Sequence, residues 1–430
     1  CLKLLSELTA SSGTFPPATR REFHAEAPRL ADLSDQRGVV PGEPLGTTPR
    51  HLRGIVEPTH RADPDVWWED LLHRSQRAPS FRMVRDGAVL PRNLLCRRAG
   101  VGHQQLDDLV EPNRVLQAYE NGASLVLQGL QHSDPAMAKL STNLALELNQ
   151  PIQLNAYLSP SSARGLDLHF DYHDVIVVQL TGSKAWRTWH PLERSRLPQK
   201  RGAGIPRPQW DELSDPLIEA VLKPGDALVI PRGHPHAAST NDDESAHLTV
   251  GVMSLTWQAL FAQLLRSSTG GSALAATASF DADGRLDALK SLDSQFNKDV
   301  LQRAHRLEVW KRQPRTRLRP RRAVFAPEAP LRFTPGPLLW LDHDRRALKA
   351  SAAVNAGPGG DEASVSLQLG DMALTFPSEA APFLALLLNE DAPFTVRSLA
   401  DAPGHDLDDA SVQTVLTALH REGVVAHGPL

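Results

Sequence analysis

Between about residues 151 and 257, short β-rich runs follow one another closely: "IQLNAYLS", "DVIVVQL", "KAWRTWH", "DALVIPR" and "HLTVGVM". Turns rich in Gly, Pro and Ser divide them, and no helical period interrupts the first three. Parallel neighbours need a crossover of a dozen or more residues, usually a helix. Strands spaced this closely are therefore expected to pair antiparallel and to close into a sandwich or barrel. A small double-sheet jelly roll is the architecture that fits.

The chain has 430 residues, long for one domain, so two or three are expected. Residues 1–60 are rich in Pro, Arg and Gly, with weak periodicity, and are expected to be poorly ordered. Signals sharpen from "DPDVWWEDLLHRSQ", where Asp63 or Asp65 can cap a helix carrying Trp67, Leu71 and Leu72. "FRMVRDGAVL" predicts a hairpin turning at Asp86-Gly87. "PNRVLQAYENGASLVLQGL" predicts a helix ending near Gly122 and then a strand from Ala123 to Leu127. "DPAMAKLSTNLALELNQP" predicts an amphipathic helix with Met137, Leu140, Leu144 and Leu148 on one face.

Past the β-rich centre, a helical pattern runs from "SLTWQALFAQLLRSS" to about Trp310, with Trp257, Leu260, Phe261 and Leu264 in register. The basic run "KRQPRTRLRPRR", Lys311 to Arg322, reads as an exposed connection. In the last hundred or so residues, "LLWLDHD", "ALKASAA" and "SVSLQLGDMALTF" read as strands. "AAPFLALLLN" and "TVRSLAD" read as short helices before a longer one, "DDASVQTVLTALHREGVVAHG", with Val412, Val415, Leu416 and Leu419 in register and a short strand behind it. That order is a winged helix. The expected division is an N-terminal segment 1–60, a β-rich domain 61–256, a helical region with a basic linker 257–322 and a winged-helix domain 323–430.

Charged residues are 22% and the formal net charge is −4, so any nucleic-acid contact would need a local patch. Two cysteines exclude a disulfide scaffold and a multi-cysteine zinc site. No apolar run approaches the roughly 20 residues that cross a bilayer, and the start of the chain has no convincing signal-peptide core. A cytoplasmic protein is expected.

The ligand-bearing stretch is "HFDYHDVIVVQLTGSKAW". His169 and Asp171, one residue apart on an expected strand, face the same side. Two histidines and one carboxylate on one face are the ligand set of non-haem Fe(II) oxygenases. The third ligand must come from a distant strand, and "GDALVIPRGHPHAAS" offers His236, which Pro235 places at the start of the next extended run. His234 is the alternative and would lie in the turn. His173 shares the face of the pair, as a substrate-facing group or as a packed histidine.

An oxygenase of this kind takes 2-oxoglutarate as co-substrate, and the far carboxylate then needs a buried cation. An unpaired buried cation is costly, so its presence implies an anionic partner. Lys184, beyond the Thr181-Gly182 turn, suits that role; otherwise it is a turn-edge surface lysine. In "IQLNAYLS", Gln153, Asn155 and Tyr157 alternate with Leu154, Ala156 and Leu158. Asn155 and Tyr157, and Thr249 in "HLTVG", can hydrogen-bond a co-substrate, unless this is the solvent face of an antiparallel strand.

"NAYLSPSSARGLDLHFDYHDVIVVQLTGSKAWRTWHP" and "GDALVIPRGHPHAAS…HLTVG" resemble the JmjC-domain ribosomal oxygenases, 2-oxoglutarate-dependent hydroxylases of ribosomal proteins. The resemblance implies an α+β chain: a double-stranded β-helix (jelly-roll, cupin, JmjC type), a helical dimerisation region and a C-terminal winged-helix domain. It implies iron ligands at His169, Asp171 and His236, a 2-oxoglutarate lysine at Lys184, and co-substrate contacts at Asn155, Tyr157 and, across a loop that can shift the register, Thr249. Gln153 and His173 are candidate substrate contacts. The implied activity is hydroxylation of an arginine or histidine with Fe(II), 2-oxoglutarate and O2, by a homodimer acting on a ribosomal protein. "REFHAEAPRLADL" keeps Phe23 and little else of the family's N-terminal pattern, and "AAS" after the distal histidine also departs from it. Both departures bear on substrate identity.

Two other readings fit the same residues. One keeps the oxygenase and makes the substrate a peptide natural product or small molecule. The other is a non-enzymatic cupin with a DNA-binding winged helix. Against the latter, the last long helix sets Arg421 and His420 beside Asp408, Asp409 and Glu422, where a recognition helix needs several Lys or Arg. Histone-type demethylation shares the same iron site.

Overall fold

The computed structural model describes residues 45–55, 63–73, 76–192, 211, 213–267, 301, 304–305, 308–309, 311–313, 325–333, 364–369, 372–387 and 394–427. The expected strands "LLWLDHD" and "ALKASAA", most of the helical stretch after 267, and nearly all of the basic run lie outside these residues. The chain forms two compact units, Cys1–Ser254 and Leu255–Leu430. No helix among the described residues is long and apolar enough to cross a membrane.

In the first unit the strands are β1 (Arg50–Leu52), β2 (Phe81–Arg85), β3 (Ala88–Val89), β4 (Cys96–Val101), β5 (Gln104–Val110), β6 (Ser124–Leu127) and β7 (Ile152–Ser159). They continue with β8 (Asp174–Thr181), β9 (Lys184–Thr188), β10 (Ile218–Leu222), β11 (Ala227–Ile230), β12 (His236–Thr240) and β13 (Ser245–Val252). Among the described residues three helices interrupt them: α1 (Pro64–His73), α2 (Pro112–Glu120) and α3 (Pro135–Leu148). Eight strands make a large sheet in the order β1-β11-β8-β13-β7-β6-β2-β3, and three make a small one, β10-β9-β12. Every pairing is antiparallel. The first unit is a jelly roll.

Local chemistry explains the elements that carry the site. The Asp86-Gly87 turn between β2 and β3 has positive φ at both positions, 50° and 78°, as a two-residue hairpin of primed type demands. Asp134 caps α3 by accepting from the N–H groups of Ala136 and Met137, and Met137, Leu140, Leu144 and Leu148 are buried. β8 is buried on both faces, which is why its run reads as continuous rather than alternating. Val175 and Val177 of β8, with Leu228 and Ile230 of β11, meet Trp186 of β9 and Leu222 of β10 in one core between the sheets.

β1 departs from the expectation for residues 1–60. It lies within a segment without sequence pattern, yet pairs Arg50, His51 and Leu52 with Val229, Leu228 and Ala227. Asp226 holds it there: its carboxylate accepts from the Gly54 N–H at 2.9 Å and the Lys223 N–H at 3.1 Å and lies 3.2 Å from His51 Nε2. This anchor is made by one residue 170-odd positions away, and so leaves no local trace.

The second unit contains α4 (Trp257–Ser267), β14 (Leu331–Phe333), β15 (Ser364–Leu369), β16 (Met372–Pro377), α5 (Ala381–Leu387), α6 (Val396–Ala400), α7 (Asp409–Arg421) and β17 (Val425–His427). β15 pairs with β16 and β14 with β17. A separate core gathers Phe325, Phe383, Leu384, Leu399, Val412 and Leu416. Thr395 and Ser398 cap α6 reciprocally, and Asp408 caps α7 through the Ser411 N–H.

Candidate active site

His169, Asp171 and His236 each offer one ligand atom, and those atoms lie within 4.8 Å of one another. The sequence pattern puts His169 and Asp171 on a strand. The structure instead places them before β8, in an extended segment laid along β12 by isolated bridges, Arg164 to Ser239 and His169 to His236. The second bridge is closed both ways: the His236 N–H donates to the His169 carbonyl at 2.8 Å, and the His169 N–H to the His236 carbonyl at 3.2 Å. Two histidines 67 positions apart thus stand opposite each other, ring centroids 4.3 Å apart. The Gly233 N–H donates to the Asp171 carbonyl at 2.8 Å, and the Arg232 N–H to Asp174 Oδ1 at 2.8 Å, which docks the β11–β12 loop on the same segment.

Both histidines are orientated alike. His169 Nδ1 lies 2.7 Å from the Asp167 carbonyl and His236 Nδ1 lies 3.0 Å from the His234 carbonyl. A carbonyl only accepts, so each Nδ1 carries the hydrogen and each Nε2 keeps its lone pair. His236 Nε2 is 3.6 Å from Asp171 Oδ2. Burial, and then the neighbouring His169, lower His236 to about 4, so its ring is neutral at neutral pH. Burial by itself would raise Asp171, but His173, His236, His169 and Arg82 outweigh it and hold the carboxyl below its usual range. His234 is differently engaged: Nδ1 lies 2.9 Å from the Trp189 carbonyl and Nε2 3.0 Å from the Thr47 carbonyl.

These ligand atoms border a cleft between the two sheets. It is lined by Tyr157, Lys184, Trp186, His247 and Thr249 as well as His169, Asp171 and His236, with Val84, Val126, Val175 and Val177 as apolar wall. In the small sheet His236 is opposite Thr188 and Lys184 opposite Thr240. Four residue steps along β9 therefore separate the histidine end from the lysine end, roughly 13 Å of strand. Lys184 is buried and donates to Ser159 Oγ at 2.9 Å, and Ser124 Oγ donates to Ser159 Oγ at 2.8 Å. Burial lowers Lys184 to about 8.

Thr249 is opposite Asn155 across β13 and β7, and His247 is opposite Tyr157. The Asn155 side-chain oxygen accepts from the Gly129 N–H at 3.0 Å and from Gln153 Nε2 at 3.3 Å, tying β7 to the turn before α3. Neither Asn155, Gln153 nor His173 borders the cleft. The His173 ring sits over Gly251 of β13, where an added Cβ would lie 3.0 Å from its Cδ2. Ser159, Trp186 and His247 escaped the sequence reading. Each stands two positions from a residue that reading picked out (Tyr157, Lys184 and Thr249), so the period of two would have found them.

Residues 131–260 match the JmjC domain family. The chain is 32% identical over 157 residues to the bifunctional lysine-specific demethylase and histidyl-hydroxylase NO66 of Dictyostelium discoideum, covering 36% of this chain and 30% of that protein. It is 33% identical over 152 residues to ribosomal oxygenase 1 of Homo sapiens, covering 34% and 23%. The chain thus spans less than a third of the length of these curated relatives. Among solved structures, the X-ray structure of E. coli ycfD is 19% identical, with 88% of this chain and 95% of that chain covered and a TM-score of 0.48. The structure of the E. coli ribosomal oxygenase YcfD with cobalt and 2-oxoglutarate is also 19% identical, with 89% and 95% covered and a TM-score of 0.45.

Proposed function

We propose that this chain, which carries the JmjC match at 131–260, is an Fe(II)- and 2-oxoglutarate-dependent oxygenase that hydroxylates an arginine or histidine side chain of a ribosomal protein. The observation that carries the reading is one cleft with a two-histidine, one-carboxylate cluster at one end and a buried lysine at the other. Two neutral imidazole nitrogens and a carboxylate oxygen are the donor set that suits non-haem Fe(II) and leaves positions open for other ligands. The names of the curated relatives support the substrate class.

His169 and His236 would hold the ion through Nε2 and Asp171 through a carboxylate oxygen. Fe(II) with 2-oxoglutarate and O2 supplies insertion of one oxygen atom into a C–H bond, the other entering the 2-oxo acid as it loses CO2. Lys184 would pair with the far carboxylate of the 2-oxo acid. Tyr157 and Thr249 would bound it on the large-sheet side, with Asn155 supporting that wall through Gly129. The valines at 84, 126, 175 and 177 keep bulk water from the cleft. His173 and Gln153, outside the cleft lining, are assigned to the substrate side.

Residues 323–430 are read as a winged-helix module for protein contact, since Asp408 and Asp409 head its longest described helix. The helical region from Trp257 is assigned to a homodimer, and the protein to the cytoplasm. Mass spectrometry of ribosomal proteins from cells with and without the gene tests the substrate: one added oxygen on an arginine or histidine is expected. No difference between the two would favour a peptide natural product or small molecule.

A further inference from the structure

The lysine end of the cleft holds more polar atoms than one ammonium accounts for. His247, on β13, is 2% exposed and lines the cleft, yet its Nδ1 is buried with no hydrogen-bond partner among the described residues. Trp186, on β9, is 7% exposed, also lines the cleft, and buries an indole N–H that likewise has no partner among those residues. Buried polar groups are rarely left this way, and each orphan calls for an explanation. Lys184 has a neutral hydroxyl, Ser159, as its acceptor, and no carboxylate partner among the described residues.

The two rings are held in place rather than loosely packed. His247 stacks on Tyr157 at 4.7 Å with 6° between planes, and Trp186 meets it edge-on at 5.5 Å and 81°. Burial and then the charge of Lys184 push the His247 pKa well below its usual value, so the imidazole stays neutral and presents an N–H without adding charge. Trp186 from the small sheet and His247 from the large one thus line the same cleft as Lys184, each with a buried nitrogen that has no partner among the described residues.

We propose that His247 and Trp186 are positioning residues that complete, with Lys184, a three-donor cage for the far carboxylate of the 2-oxo acid. The proposal rests on the oxygenase reading and extends it: the cage makes the cleft select a dicarboxylate over a 2-oxo acid of equal length that lacks the second carboxylate. Trp186 Nε1–H and His247 Nδ1–H each donate one hydrogen bond to a carboxylate oxygen, and the ammonium supplies the charge.

The test uses the full chain loaded with Mn(II) without O2, titrated calorimetrically with 2-oxoglutarate and with 2-oxopentanoate. His247→Phe keeps the ring stack and removes both nitrogens; Trp186→Phe keeps an aromatic ring and removes the indole donor. Each is expected to weaken 2-oxoglutarate about tenfold or more while 2-oxopentanoate and Mn(II) affinities hold. His247→Gln, which restores an N–H, is expected to recover part of the loss. If both phenylalanine variants keep the wild-type preference while Lys184→Met abolishes it, the cage is overturned and the oxygenase reading stands. If both ligands weaken equally, the rings act by packing, which also overturns it. If the wild type binds neither 2-oxo acid, the oxygenase reading falls and the cage with it.

Discussion

At the residue scale the site is a matter of which atoms are left over. His169 and His236 each use Nδ1 on a carbonyl two residues back, so Nε2 is what they have to offer, while His234 has both nitrogens engaged. His236→Ala is accordingly expected to cost at least about 100-fold in Mn(II) affinity, since loss of merely supporting contacts already costs about 10–100-fold. His234→Ala is expected to cost far less, and equal losses in the two variants would refute the assignment. Lys184 carries a pH signature. Its folded-state value of about 8 lies below the 10.5 of an unperturbed lysine. The fold therefore bears the cost of a buried ammonium below pH 8, and sheds it as pH rises toward 10.5. Anion binding runs the other way, because it needs the charged form. Affinity for 2-oxoglutarate is expected to be flat below pH 8 and to fall by up to about tenfold per unit above it. Lys184→Met is expected to bind about 30-fold or more weakly and to show no such slope. Calorimetric titrations at pH 7 and pH 9 check both.

At the element scale, turns and bridges decide which side chains meet. The β8–β9 connection turns at Gly182, whose φ is +60° and where an added Cβ would fall 1.8 Å from the Glu244 carbonyl oxygen. No rotamer relieves a clash with backbone, so Gly182→Ala is expected to cost about 2 kcal/mol or more and to lower the melting temperature by several degrees, measurable by calorimetry. It is also expected to weaken 2-oxoglutarate binding, because that turn aims Lys184. β1 tests a different kind of link. Asp226→Ala removes the carboxylate that joins Gly54 and His51 to the Lys223 turn. Hydrogen exchange is expected to speed up at residues 50–52 with the strands of the small sheet unchanged. Unchanged protection there would mean the ladder to β11 holds β1 unaided.

At the scale of the whole molecule, every group that lines the cleft falls between Val84 and Thr249, inside the first unit, and the second unit has a core of its own. A chain ending at Ser254 is therefore expected to bind Mn(II) and 2-oxoglutarate as the full chain does. If it fails to, the second unit contributes to the site. The proposed homodimer belongs to the region from Trp257 onward; light scattering of the full chain is expected to give twice the chain mass and of the shortened chain a single one.

Local periodicity made much of this legible beforehand. Alternation and turn residues mark β2–β3, β7 and β9, an apolar run marks β8, an amphipathic face marks α3 and a cap α7, because those signals depend on residues within a turn or two of each other. A His-x-Asp pair, a histidine after a Gly turn and a lysine after another carry the ligand chemistry for the same reason. Strand pairing is not local, and the remainder depends on it. That His169 faces His236 directly, that His234 lies against the carbonyls of Trp189 and Thr47, that β1 closes the sheet edge, and that His247 and Trp186 line the cleft of Lys184 with unpartnered nitrogens all follow from contacts between distant segments. A chain written in one dimension states which face a side chain takes, but a site is made where two faces meet, and that is set by register and closure of the sheets.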